Sequence, residues 1–149
     1  MRLRWAQPAV VVARVVVACL VVVAGAVGAA AAVAEPTTLP VAYSFLDGIR
    51  AELSNPGGSL PGTNDFSCAP TPKHPRPVVL LHGSGGGRQT NWATLAAVLK
   101  NDGYCVFAPT YGVLSSVWPA SAIGGLGPKL DGAWDVKEFM DRVMAATQI

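Results

Sequence analysis

The sequence predicts an α/β fold organised as a βαβ unit with two parallel strands, and three stretches carry that prediction. In the first, Pro77–Arg88, the apolar run Val78-Val79-Leu80-Leu81 leads directly into His82-Gly83-Ser84-Gly85-Gly86-Gly87. An uninterrupted apolar run of this length reads as a strand covered on both faces, since neither face needs polar side chains. The second is a helical pattern over about Asn91–Lys100, with Trp92, Leu95, Ala96, Val98 and Leu99 apolar and Thr90 or Asn91 placed to cap its start. Asn101-Asp102-Gly103 ends it, with glycine where a helix stop favours it. The third is Tyr104-Cys105-Val106-Phe107-Ala108, a short strand closed by Pro109. Parallel strands need a crossover of this length between them, and its hand should be right.

The remaining elements follow in chain order. Arg2, Arg4 and Arg14 precede an uncharged apolar run from Val15 to Ala34, and Ala32-Val33-Ala34 before Glu35-Pro36 fits the small-x-small cleavage rule. Residues 1–34 therefore read as a secretory signal peptide cleaved after Ala34, and the protein is expected to be secreted. The run is also long enough to span a bilayer, so an uncleaved segment would be the one route to a membrane. Val16-Val17-Ala18-Cys19 resembles a lipobox, but the apolar stretch continues through Leu20–Val23, as in an ordinary signal segment.

The formal net charge is +2, with eleven basic and nine acidic residues. Three of the basic residues leave with the signal, so the acidic ones come slightly into excess. No basic cluster remains to support a nucleic-acid partner. Of the three cysteines, Cys68 and Cys105 lie in the exported part, where two thiols are expected to pair. Two cysteines and two separated histidines do not make a zinc site, and nothing calls for a cofactor.

Residues 35–76 read as a helix followed by a proline-rich arm. Val41, Phe45, Leu46, Ile49 and Leu53 form a helical stripe over Val41–Leu53, with Gly48 as a weak point. Asn55–Pro77 carries six prolines and turn formers around Asn64-Asp65, and within it His74 reads as a solvated loop residue. Thr110–Leu130 is a long loop rich in glycine, serine and proline, with Trp118 and the run Ile123-Gly124-Gly125-Leu126-Gly127-Pro128. Loops of that length in compact domains are usually either functional or poorly ordered. Asp131–Thr147 closes the pattern as an amphipathic helix, with Val136, Phe139, Met140, Val143 and Met144 on its core face.

A strand, a glycine turn and a helix start together favour negative charge, because the turn exposes backbone N–H groups. Two phosphate motifs fail on the residues: from Gly83, both the P-loop and the dinucleotide fingerprint require glycine where Arg88 stands. The remaining reading is an oxyanion loop, in which an N–H after His-Gly points at the oxygen of a tetrahedral ester intermediate; the plainer alternative is a βα turn without a ligand.

The combination of Pro-Val-Val-Leu-Leu-His-Gly-Ser-Gly-Gly, Asn91-Trp92, Asp102–Ala108 and Tyr111-Gly112 resembles the secreted bacterial triacylglycerol lipases of the α/β-hydrolase superfamily. The resemblance covers about Asn64 to Thr147. It implies that residues 77–149 are the N-terminal part of an α/β-hydrolase domain acting on carboxylic esters of lipids, without metal or organic cofactor. By the same resemblance, the Ser84 N–H supplies half of the oxyanion hole, His82 and Gly83 shape the loop, and Cys68 and Cys105 match the family disulfide. Thr110–Leu130 would lie beside the acyl-binding cleft. In that family a strand and the nucleophile elbow Gly-x-Ser-x-Gly follow the helix matching Asp131–Thr147. No such motif occurs in these 149 residues: Gly57-Gly58-Ser59-Leu60 is followed by Pro61, and His82 stands two before Ser84. The expectation is thus an N-terminal portion lacking nucleophile, acid and catalytic histidine, and inactive by itself. The alternative is an exported lipid- or protein-binding protein on the same scaffold.

Overall fold

The structure is a computed structural model and describes residues 38–149. The predicted signal segment lies outside the described residues. Those residues form α1 (Phe45–Ser54), β1 (Val78–Val79), α2 (Ala93–Asn101), β2 (Val106–Phe107), a short 3-10 turn at Ala120–Ala122, and α3 (Lys129–Thr147). β1 and β2 pair in parallel, Val78 opposite Val106 and Val79 opposite Phe107. Strand, helix and parallel strand thus follow one another as the hydrophobic pattern predicts.

The centre of the structure is β2 rather than the strand ahead of the glycine turn. Cys105, Val106, Phe107 and Ala108 are all buried, whereas Val78 and Val79 are half-buried and Leu81 is exposed. The reason is pairing on both sides. Val78 N–H donates to Cys105 O and Leu80 N–H to Phe107 O, each at 2.8 Å. On the other flank Thr63 bridges Val106, and Asn64 N–H donates to Val106 O at 2.9 Å. Among the described residues nothing pairs with the outer edge of β1, so the expected covering of both its faces is incomplete.

Alternation along β2 divides the core in two. Val106 and Ala108 pack with Leu60, Leu80 and Ala96, and Cys105 and Phe107 pack with Phe139 and Val143. Helix α2 therefore covers one face and α3 the other, a layered α/β arrangement.

Each helix departs from its sequence pattern for an identifiable reason. α1 starts at Phe45, not Val41, because Ser44 adopts an extended conformation and its Oγ caps Leu46 N–H at 3.2 Å. Its buried positions are Gly48 and Glu52, while Phe45 and Leu53 are 69% and 63% exposed. Gly48 is a packing contact: a Cβ there would lie 2.5 Å from Thr90 O. α2 starts at Ala93 without a side-chain cap. Asn91 Oδ1 accepts instead from Gly87 N–H at 3.0 Å, serving the glycine turn. Gly103, at φ +97°, ends α2 as the pattern predicts. α3 begins at Lys129, directly after Pro128. Phe139 and Val143 are buried, but Met140 and Met144 are 37% and 41% exposed and do not join the core.

Beyond the pairing of Thr63 and Asn64 with β2, two further contacts anchor the proline-rich arm. Cys68 and Cys105 form a disulfide with a Cα–Cα distance of 5.7 Å. His74 is not solvated: it is 8% exposed, stacked on Tyr104 with ring centroids 3.7 Å apart. Its Nε2 lies 3.2 Å from Asp102 Oδ2 but off hydrogen-bonding geometry, and it has no hydrogen-bond partner among the described residues. Lys73 Nζ bonds the other oxygen of Asp102 at 2.7 Å, and this bond is the main influence holding the Asp102 carboxyl below its usual value.

Candidate active site

The glycine turn after β1 is built around His82, which is 2% exposed. Its ring stacks on Tyr111 with centroids 4.2 Å apart, and the Tyr111 hydroxyl donates to the His82 carbonyl. Tyr111 N–H donates to His82 Nε2 at 3.1 Å, so the ring proton sits on Nδ1, 2.8 Å from Gly83 O. Burial pushes the imidazole below its ordinary value, against the opposing effect of the Gly83 bond, with Arg88 adding a smaller downward push. A neutral ring with both nitrogens engaged shapes a loop and has no free site for a substrate proton.

The glycines let two segments meet at backbone distance. Gly85 N–H donates to Gly124 O at 2.9 Å, and Gly124 N–H to Gly86 O at 2.7 Å. A Cβ on Gly124 would lie 2.4 Å from Tyr111 O and 2.5 Å from His82 Cε1. The Ile123–Pro128 run is thus the partner of the turn at 83–87, a pairing that sequence spacing alone does not reveal.

Pinned in this way, the turn presents Ser84 at its exposed tip. Among the described residues, the Ser84 N–H has no hydrogen-bond acceptor. Ser84 lines two clefts. One, of about 500 Å³, has Phe45, Ile49, Leu53, Trp118 and Ile123 in its walls. The other, of about 520 Å³, runs along Gly83, Tyr111, Gly125, Lys129 and Val136. No family model and no curated protein matches this chain.

A free amide donor beside an apolar cleft suits a ligand with a polarisable carbonyl and a hydrocarbon body. His82, Gly83 and Ser84, singled out in the sequence, sit together here; Cys68 and Cys105 lie apart, on the α3 side of the sheet. Sequence reasoning missed Glu52 and Gln89, and named Trp118 only as part of the Thr110–Leu130 loop. Glu52 is buried in the wall of the apolar cleft, where Oε1 accepts from Gly57 N–H at 2.7 Å and Trp118 Nε1 at 3.0 Å. Its Oε2 accepts from Gln89 Nε2 at 2.7 Å, and that same amide donates to Asn55 O at 2.8 Å. A buried carboxylate with three donors is satisfied, and it ties α1, the glycine turn and the Trp118 loop together. The available signal was its spacing: Glu52 is four residues after Gly48 and shares its helix face. Among the described residues no group of three His, Cys, Asp or Glu side chains could hold a metal ion.

Proposed function

We propose that this chain carries the oxyanion-loop half of a secreted serine ester hydrolase of the triacylglycerol-lipase type, acting on carboxylic esters of lipids. The observation that carries the reading is the unpartnered N–H of Ser84, a residue at the tip of the turn that also lines an apolar cleft. When a nucleophile adds to an ester carbonyl, the oxygen gains charge, and a preplaced amide donor stabilises that charge without reorganising. One such donor contributes roughly 3–4 kcal/mol to the transition state. The acyl chain would lie against Phe45, Ile49, Trp118 and Ile123. The serine would be supplied from outside these residues, on the turn after a strand that adds to the unpaired edge of β1, and its base from further outside them. The reaction then runs through an acyl-enzyme and water.

The test is to read the coding sequence past the codon for Ile149. A Gly-x-Ser-x-Gly motif is expected within about twenty residues, after one further strand. The competing reading, a non-catalytic exported lipid-binding protein, draws on the apolar side chains Phe45, Ile49, Leu53, Trp118 and Ile123 in the cleft walls. It would prevail if the reading frame closes without an elbow and the product binds a fatty acyl chain stoichiometrically without hydrolysing esters.

A further inference from the structure

Trp118 and Ala122, which wall the apolar cleft, also line a separate polar pocket of about 370 Å³. Arg88, Thr110, Ser116 and Ser121 contribute to it, with Glu52 in its wall. The Arg88 guanidinium is pinned, because its Nε donates to Thr110 Oγ1 at 3.2 Å and its backbone N–H to the same oxygen at 3.0 Å. Its two terminal nitrogens have no partner among the described residues, and no carboxylate there lies within ion-pair distance. Thr110 accepts twice, yet its own proton has no acceptor, and the Ser116 and Ser121 hydroxyls make no hydrogen bond among the described residues. The one acid in the wall, Glu52, already has both oxygens engaged.

A fixed guanidinium fork and three free hydroxyl protons, without a free carboxylate to match them, complement an oxyanion. We propose that this pocket binds a small oxyanion, the carboxylate or phosphate group of a ligand, on Arg88, Thr110, Ser116 and Ser121. Burial already disfavours the charged guanidinium; Glu52 opposes that effect and Arg142 adds to it. A bound anion would relieve both penalties. The site stands apart from the ester chemistry, which assigns none of these four residues a role.

The experiment titrates the nitrogen-15-labelled full chain with inorganic phosphate and, separately, with sodium acetate, at an ionic strength held constant with sodium chloride. The Arg88 Nε–H resonance is expected to shift saturably with at least one anion. Arg88→Lys, which keeps the charge but loses the fork, should weaken that binding about tenfold. Tighter binding of phosphate would mark a phosphate headgroup, tighter binding of acetate a carboxylate, and either order supports the site. The Ser116→Ala, Ser121→Ala double variant removes two donors that hold no part of the fold, and it should weaken binding several-fold. That variant decides the matter if Arg88→Lys does not fold. No saturable shift with either anion, or undiminished affinity in the double-serine variant, overturns the proposal.

Discussion

Asn64 shows how one side chain extends a sheet. Its Oδ1 accepts from Ala108 N–H at 2.8 Å and its Nδ2 donates to Ala108 O at 2.9 Å, so a carboxamide completes the pairing of β2. Asn64 also sits at φ +58°, a conformation asparagine tolerates better than most residues. Asn64→Ala should cost about 2–4 kcal/mol in urea unfolding, from two buried backbone groups left unpaired and from the left-handed backbone. Asn64→Gly keeps the backbone freedom and should cost measurably less; equal losses would show that the backbone term is absent. His82 makes a pH-dependent prediction. Its folded value is depressed, so between that value and the ordinary one near 6.5 the unfolded chain binds more protons. Stability from this group is therefore complete above the ordinary value and is lost as pH falls toward the folded one. The urea midpoint should drop as pH falls below the ordinary value of about 6.5, and His82→Gln should flatten that drop. An unchanged slope in the variant would exclude His82 as its source.

At the scale of elements, the turn at 83–87 and the run at 123–128 work as one unit. Gly124→Ala should destabilise by about 1–3 kcal/mol, because the methyl meets the Tyr111 carbonyl and the His82 ring, neither of which can retreat. Retained stability in that variant would mean the two segments are not held together as described. The Cys68–Cys105 bridge closes a loop over a sequence separation of 37 residues, and its reduction should cost roughly 3–4 kcal/mol in the chain-entropy account. Mass analysis with and without alkylation should find no free thiol at these positions in native material. The elements that were legible in the sequence are those set by local chemistry: the strand–turn–helix–strand order, the Gly103 stop and the pairing of Cys68 with Cys105. What was not legible depends on contacts distant in sequence. The apolar stripe of α1 suggested a core face, but its packing is decided by the Gly48 approach to Thr90 and by the Glu52 network. His74 looked like a loop residue because its partners, Tyr104 and Asp102, lie beyond the next helix.

For the whole molecule, β2 is flanked on both sides and covered on both faces, while β1 keeps an unpaired edge and a half-buried surface among the described residues. Phe45, Leu46, Leu53, Trp118 and Ile123 are exposed, with most of them in the walls of the apolar cleft. An open edge and uncovered apolar walls are what a strand-adding partner element would bury. The proposed reaction divides the labour accordingly, with the oxyanion donor here and the nucleophile on that element. The measurement that tests this most directly is p-nitrophenyl butyrate hydrolysis by residues 35–149 and by a polypeptide that also carries the elbow, each with Ser84→Ala and Ser84→Pro. Residues 35–149 alone should give no turnover above a His82→Ala, Ser84→Ala control. In the longer form Ser84→Ala should keep its rate, and Ser84→Pro, with folding checked by circular dichroism, should lose about 10²–10³-fold, because only proline removes the N–H. Turnover by residues 35–149 above the control, or equal severe losses in the two Ser84 variants, would contradict the account.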